Sequence, residues 1–158
     1  MAKSKNACKH MNVKISTMLA RTSAVVLIYP DKWPDDPFQA FCEVHENGEV
    51  WTVFQRRMGG LENFFRNWTS YKVGFGATDD EFWLGNEKLF FLTNQYNVKL
   101  RIDLRTIYGS YFYAEYDSFL LANESTNYTL TSIGIYSGNA CLYSFYFNLT
   151  LITILPFC

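Results

Sequence analysis

The side chains with the widest chemical reach in this 158-residue sequence are four cysteines, Cys8, Cys42, Cys141 and Cys158, and two histidines, His10 and His45. Cys8-x-His10 and Cys42-x-x-His45 together supply a Cys2His2 donor set. That is a real zinc combination, but Cys-x-His is shorter than the usual ligand spacing. The competing reading is a Cys8–Cys42 disulfide, which would close a loop of roughly 35 residues and contribute about 3 kcal/mol. The spacing favours the disulfide. Nucleophilic catalysis needs a nucleophile, a base and an orienting group, and neither histidine lies in an elbow-like motif. Asp79-Asp80-Glu81 lacks the spaced oxygens of a calcium loop. These acids are read instead as favourable charges at the N-terminus of a following helix. Gly74-x-Gly76 has neither a third glycine nor a preceding strand, so it makes a poor phosphate loop. No catalytic constellation and no cofactor site emerges.

Composition narrows the classes further. Apolar residues make up 49% and charged residues 18%, which excludes a disordered chain. A net charge of −1 leaves no electrostatic footprint for a phosphate backbone, so nucleic acid is excluded as a partner. Four N-x-[ST] sequons occur, at Asn67, Asn123, Asn127 and Asn148. With 12 Asn and 22 Ser plus Thr, chance gives about 1.7, a modest lean toward the secretory pathway. Met1 to His10 is basic, but no continuous apolar stretch follows it as in a signal peptide. No run is long enough for a membrane span.

The elements that must position these residues follow from periodicity. Met1 to Arg21 reads as mixed, with at most one short helix. Ala24 to Tyr29 is a β-branched run closed by Pro30, hence a strand. Phe38 to Val44 and Val50 to Arg56 are strands around Asn47-Gly48, a hairpin signal. At 100° per residue Phe64, Trp68, Tyr71 and Phe75 share an arc, opposite Arg66, Ser70 and Val73. This predicts an amphipathic helix of about three turns, with Asn67 at the edge of its apolar face and open to a glycan. A second helix is predicted over Glu81 to Leu92. Strands then follow over Val98 to Leu104, Tyr111 to Phe119 and Tyr128 to Tyr136. The fold class is α+β, with helices on one face of an antiparallel sheet. From Cys141 onward 13 of the last 18 residues are apolar and none is charged, a break in character and an aggregation hazard.

Several ordered segments resemble one family. Gly48 to Arg57 (GEVWTVFQRR) is similar to the GGWTVFQRR signature of fibrinogen-related C-terminal domains, as found in ficolins, tachylectins, tenascins and angiopoietins. Phe64 to Gly76, Glu81 to Gln95, Leu100 to Arg105, Tyr113 to Phe119 and Tyr136 to Ala140 follow in register. The resemblance spans about Cys8 to Ala140. Glu49-Val50 replaces the family's glycine pair.

The resemblance implies a secreted, non-enzymatic recognition domain, with no signal peptide in this chain. It implies a pairing of Cys8 with Cys42, the latter closing the PFQAFC segment Pro37 to Cys42. It divides the chain into a leader (1–7), an N-terminal subdomain (8–46), a central subdomain (47–140) and a divergent tail (141–158). Nothing after Ala140 matches the family's calcium loop, second cysteine pair or binding pocket, so no calcium or pocket residue carries over. The final strand that returns to the central sheet also has no counterpart, which predicts exposed sheet edges and a truncated product. In the longer parent the implied partners are glycans, acetylated ligands or cell-surface receptors, with oligomers formed only through an N-terminal stalk. The alternatives are a matrix or clotting-type module, or a truncated product that binds nothing itself.

Overall fold

Alternation of small or apolar residues with polar ones builds one dominant antiparallel sheet. The computed structural model describes residues 1–5 and 22–140. In chain order the strands are β1 (Ala2–Lys5), β2 (Ala24–Ile28), β3 (Phe38–Val44) and β4 (Val50–Arg56). Helix α1 (Trp68–Val73), β5 (Phe75–Gly76), β6 (Phe82–Trp83) and helix α2 (Asn86–Thr93) follow. The chain continues with β7 (Leu100–Arg105), β8 (Tyr111–Tyr116), β9 (Leu120–Leu121), a 3-10 turn (Glu124–Thr126), β10 (Leu130–Ser132) and β11 (Tyr136–Gly138). The main sheet runs β11-β8-β7-β1-β4-β3-β2, with β6 joining β4 and β5 joining β6. β9 and β10 form a separate pair.

The hairpin around Asn47-Gly48 forms with the strand limits read from sequence. Gly48 adopts φ +77°, and Asn47 Oδ1 accepts from the Glu49 amide at 3.0 Å. β4 is the best-covered strand: Trp51, Thr52, Val53 and Phe54 are each at most 1% exposed. Phe54 stacks on Phe119 at 5.7 Å and meets Trp83 edge-on at 5.9 Å. Leu89, Leu92, Val98, Leu100 and Leu121 close the same core.

Four expectations need correction. The open slot in the central sheet is filled: β1 lies between β4 and β7, antiparallel to both, with Ala2 opposite Gln55 and Ile102. These first residues are therefore strand. The first helix spans only 6 residues of its apolar arc, because Asn67 caps it and Gly74 ends it at φ +102°. Phe64 precedes it in non-helical chain yet still reaches Phe75 at 5.0 Å, as does Tyr71 at 5.1 Å. The second helix begins at Asn86 instead of Glu81, because residues 82–83 are drawn into the sheet beside β4. The strand expected over 128–136 is broken into β10 and β11, since Asn127 and Tyr128 have φ +56° and +50° and Gly134 has φ +70°.

Two close approaches fix the helices against the sheet. A Cβ at Gly74 would sit 2.3 Å from the Leu84 carbonyl oxygen, and one at Gly85 2.6 Å from that of Val73. The Trp83 indole N–H donates to the Tyr71 carbonyl at 2.9 Å and to Asn86 Oδ1 at 3.1 Å. The Lys88 ammonium donates to Val73 O at 2.7 Å, satisfying a carbonyl at the end of α1.

Candidate functional site

The residues singled out in the sequence scatter rather than converge. Cys42 is buried on β3 and disulfide-bonded; Cys8, His10, Cys141 and Cys158 lie outside the described residues. His45 is half-buried, its Nε2 2.9 Å from Lys3 Nζ and 3.3 Å from Glu43 Oε2. Among the described residues no group of three His, Cys, Asp or Glu is placed to hold a metal ion. Asn67, Asn123 and Asn127 are all exposed, and Asn148 lies outside the described residues.

The acids 79–81 do not cap a helix. Glu81 is 4% exposed, and its carboxylate gathers four backbone amides. Oε1 accepts from Met58 at 2.6 Å, Gly59 at 2.9 Å and Gly60 at 2.8 Å; Oε2 accepts from Glu62 at 2.8 Å. The Glu62, Gly60 and Met58 amides pull its carboxyl down to about 2. Glu81 thus anchors the loop that leads into α1.

Sequence reasoning missed the charged face of the sheet. Lys3, 2% exposed, bonds Glu43 on β3 and lies 2.7 Å from Asp103 Oδ2 on β7. Arg101 extends the chain of charges, 3.0 Å from Asp103 Oδ1 and 3.0 Å from Glu115 Oε2. It also donates to the Tyr111 hydroxyl at 2.8 Å and lies 4.4 Å over the Tyr113 ring. Burial alone would push the Asp103 carboxyl up. Hydrogen bonds from Lys3 and Tyr111, with the nearby Lys3 and Arg101 charges, outweigh that and hold it below its usual value. Every charge here faces an opposite one, so the network holds strands in register rather than activating a nucleophile.

Beside α1 a cavity of about 250 Å³ is lined by Arg66, Trp68, Tyr71 and Asn86. Its polar atoms are largely committed: the Tyr71 hydroxyl donates to Phe64 O at 2.8 Å, and Arg66 binds Glu62 at 2.7 Å. Tyr128, fully buried, stacks on Trp68 at 5.8 Å and bonds Glu87. Burial and that carboxylate push its phenol up.

Comparison with known proteins decides what this frame is. Residues 6–148 match the family described as the C-terminal globular domain of fibrinogen beta and gamma chains. The chain belongs to that family. This fibrinogen-like chain is 46% identical over 118 residues to human angiopoietin-related protein 1, covering 75% of this chain and 24% of the relative. It is 40% identical over 102 residues to fibrinogen-like protein A of Apostichopus parvimensis, covering 65% and 36%. The fibrinogen-like globe domain of human ANGPTL2 superposes with a TM-score of 0.72 at 44% identity, covering 75% of this chain and 54% of that one. A lamprey fibrin D-dimer complexed with the peptide Gly-His-Arg-Pro-amide superposes at 0.71 and 43%, covering 76% and 38%. The aligned part is thus about a quarter to a third of the curated relatives' length. No helix among the described residues is long and apolar enough to cross a membrane.

Proposed function

We propose that the fibrinogen-like chain is an extracellular, non-enzymatic recognition module that acts as part of a longer protein. The observation that carries this reading is the family match over residues 6–148, on a sheet where Lys3, Asp103, Arg101 and Glu115 pair with one another. A Cys8–Cys42 disulfide and secretion belong to the same reading, as do glycans, acetylated ligands or a cell-surface receptor as partners. Protein recognition is favoured by the exposed aromatic edge of the sheet. Tyr108 on the β7–β8 turn is 90% exposed, and Tyr111 and Tyr136 are 46% and 39% exposed. Tyrosines that keep one polar and one apolar end are enriched where proteins meet.

The lamprey fibrin match supports a second reading, a clotting-type module that binds a short basic peptide. One titration separates the two. The labelled chain is tested against Gly-His-Arg-Pro-amide, an array of N-acetylated glycans and intact cells, each with and without calcium. Saturable cell binding that is lost in a Tyr108→Ala, Tyr111→Ala variant supports the first reading, and peptide binding alone supports the second. A folded chain that binds none of the three overturns both.

A further inference from the structure

We infer that Asn67 carries an N-linked glycan whose innermost N-acetylglucosamine stacks on the ring of Phe65. Phe65 is 95% exposed, the most exposed aromatic side chain in the described structure; the next most exposed phenylalanine there, Phe112, is 37% exposed. A ring standing in water presents apolar surface that a stacked sugar would cover. Two residues on stands Asn67, the first residue of the sequon Asn67-Trp68-Thr69.

Both residues stand outside the helix on exposed chain. Asn67 is extended (φ −77°, ψ 173°), and Phe65 lies two positions before it in a non-helical segment. The residues on either side of Phe65 both contact Phe75. Phe64 packs edge-on against Phe75 at 5.0 Å, and the Arg66 guanidinium lies 4.9 Å over the same ring. Arg66 also donates from Nε to Asn63 O at 2.8 Å. Phe65 and Asn67 are both exposed.

The amide of Asn67 is already sorted for modification. Its Oδ1 accepts from the Ser70 amide and the Ser70 hydroxyl, both at 3.0 Å, as the cap of α1. The cap uses the oxygen alone, so Nδ2 can carry the sugar while the helix keeps its N-terminus. In the transfer, Nδ2 bonds to the anomeric carbon of a lipid-diphosphate-linked oligosaccharide. The bond from that carbon to the diphosphate oxygen breaks, the amide loses one proton, and the lipid diphosphate leaves. The other two described sequons lack the platform. Two residues before Asn123 is Leu121, fully buried, and two before Asn127 is Ser125, whose hydroxyl bonds Asn123.

The inference rests on the extracellular reading, and a heterologous secretory leader separates the two. The full chain is secreted from eukaryotic cells behind that leader, and glycan occupancy at each sequon is read by mass spectrometry after enzymatic release in heavy-oxygen water. Failure at Asn67 then counts against this inference whatever the protein's native compartment. Asn67 is expected to be occupied. Phe65→Ala should lower its occupancy at least twofold without changing Asn123 or Asn127, and Phe65→Tyr should restore it. Removing the glycan should lower the melting temperature of the parent chain by about 3 °C and leave that of Phe65→Ala unchanged. An unmodified Asn67 overturns the site. Equal occupancy and an equal thermal shift in Phe65→Ala overturn the stacking.

Discussion

The Lys3 ammonium lies 2.7 Å from the Asp103 carboxylate, tying the first strand of the chain to β7 at the centre of the sheet. Glu43 approaches the same ammonium from the β3 side. One side chain thus joins three strands that are far apart in sequence, and it explains how a four-residue segment with no large apolar group holds a central position. A charge removed from water in this way is stable only while its partners are present.

Replacing Lys3 by Met leaves Glu43 and Asp103 facing each other across a partly buried gap. Lys3→Met is expected to lower stability by about 3 kcal/mol in urea unfolding. Adding Asp103→Asn should recover part of that loss, because the uncompensated carboxylate is the larger cost. Additive losses in the double variant would show that the two residues do not interact.

Glu81 makes stability depend on acid. Its carboxyl is held at about 2 in the folded chain, against an ordinary value of 4.5. The folded state therefore binds fewer protons than the unfolded one over that interval. The contribution is fully present above pH 4.5 and is lost as pH falls toward 2. Glu81→Gln should lower the melting temperature at pH 7 and flatten its decline between pH 4.5 and 2. Parallel acid curves for the two proteins would show that the loop amides do not hold this carboxylate.

Gly74 and Gly85 mark where α1 and the strand before α2 cross without room for a side chain. Gly74→Ala would bring a methyl group to 2.3 Å from the Leu84 carbonyl oxygen, at a backbone φ of +102°. A loss of at least about 2 kcal/mol is expected. Gly48→Ala meets nothing within 4 Å at φ +77° and serves as the comparison for backbone strain alone. If the two substitutions cost the same, the close approach has no energetic weight.

The parts legible in the sequence are those with local causes. The 38–56 hairpin follows from two β-rich runs and an Asn-Gly turn, and the Phe64–Tyr71–Phe75 cluster follows from spacing even though only part of it is helical. The parts that were illegible depend on distant groups. Ala-Lys-Ser-Lys has no strand signature of its own; its place is set by Glu43 and Asp103. Glu81 looks like one of three consecutive acids, and its role comes from amides some twenty positions earlier. The break near 128 comes from two left-handed residues at the end of a 3-10 turn, which an apolar run does not reveal. For the sites, sequons and the cysteine were visible in the sequence, but the exposure of Phe65 was not.

The recognition proposed for this chain requires that it fold as one unit, with β1 closing the sheet. Native-state hydrogen exchange on the 158-residue chain tests this most directly. The β1 amides should exchange as slowly as those of β4 and β7, together with them, through global unfolding. Exchange of β1 at the rate of open chain, with β4 and β7 unprotected on the sides that face it, would contradict the closed sheet and the module built on it.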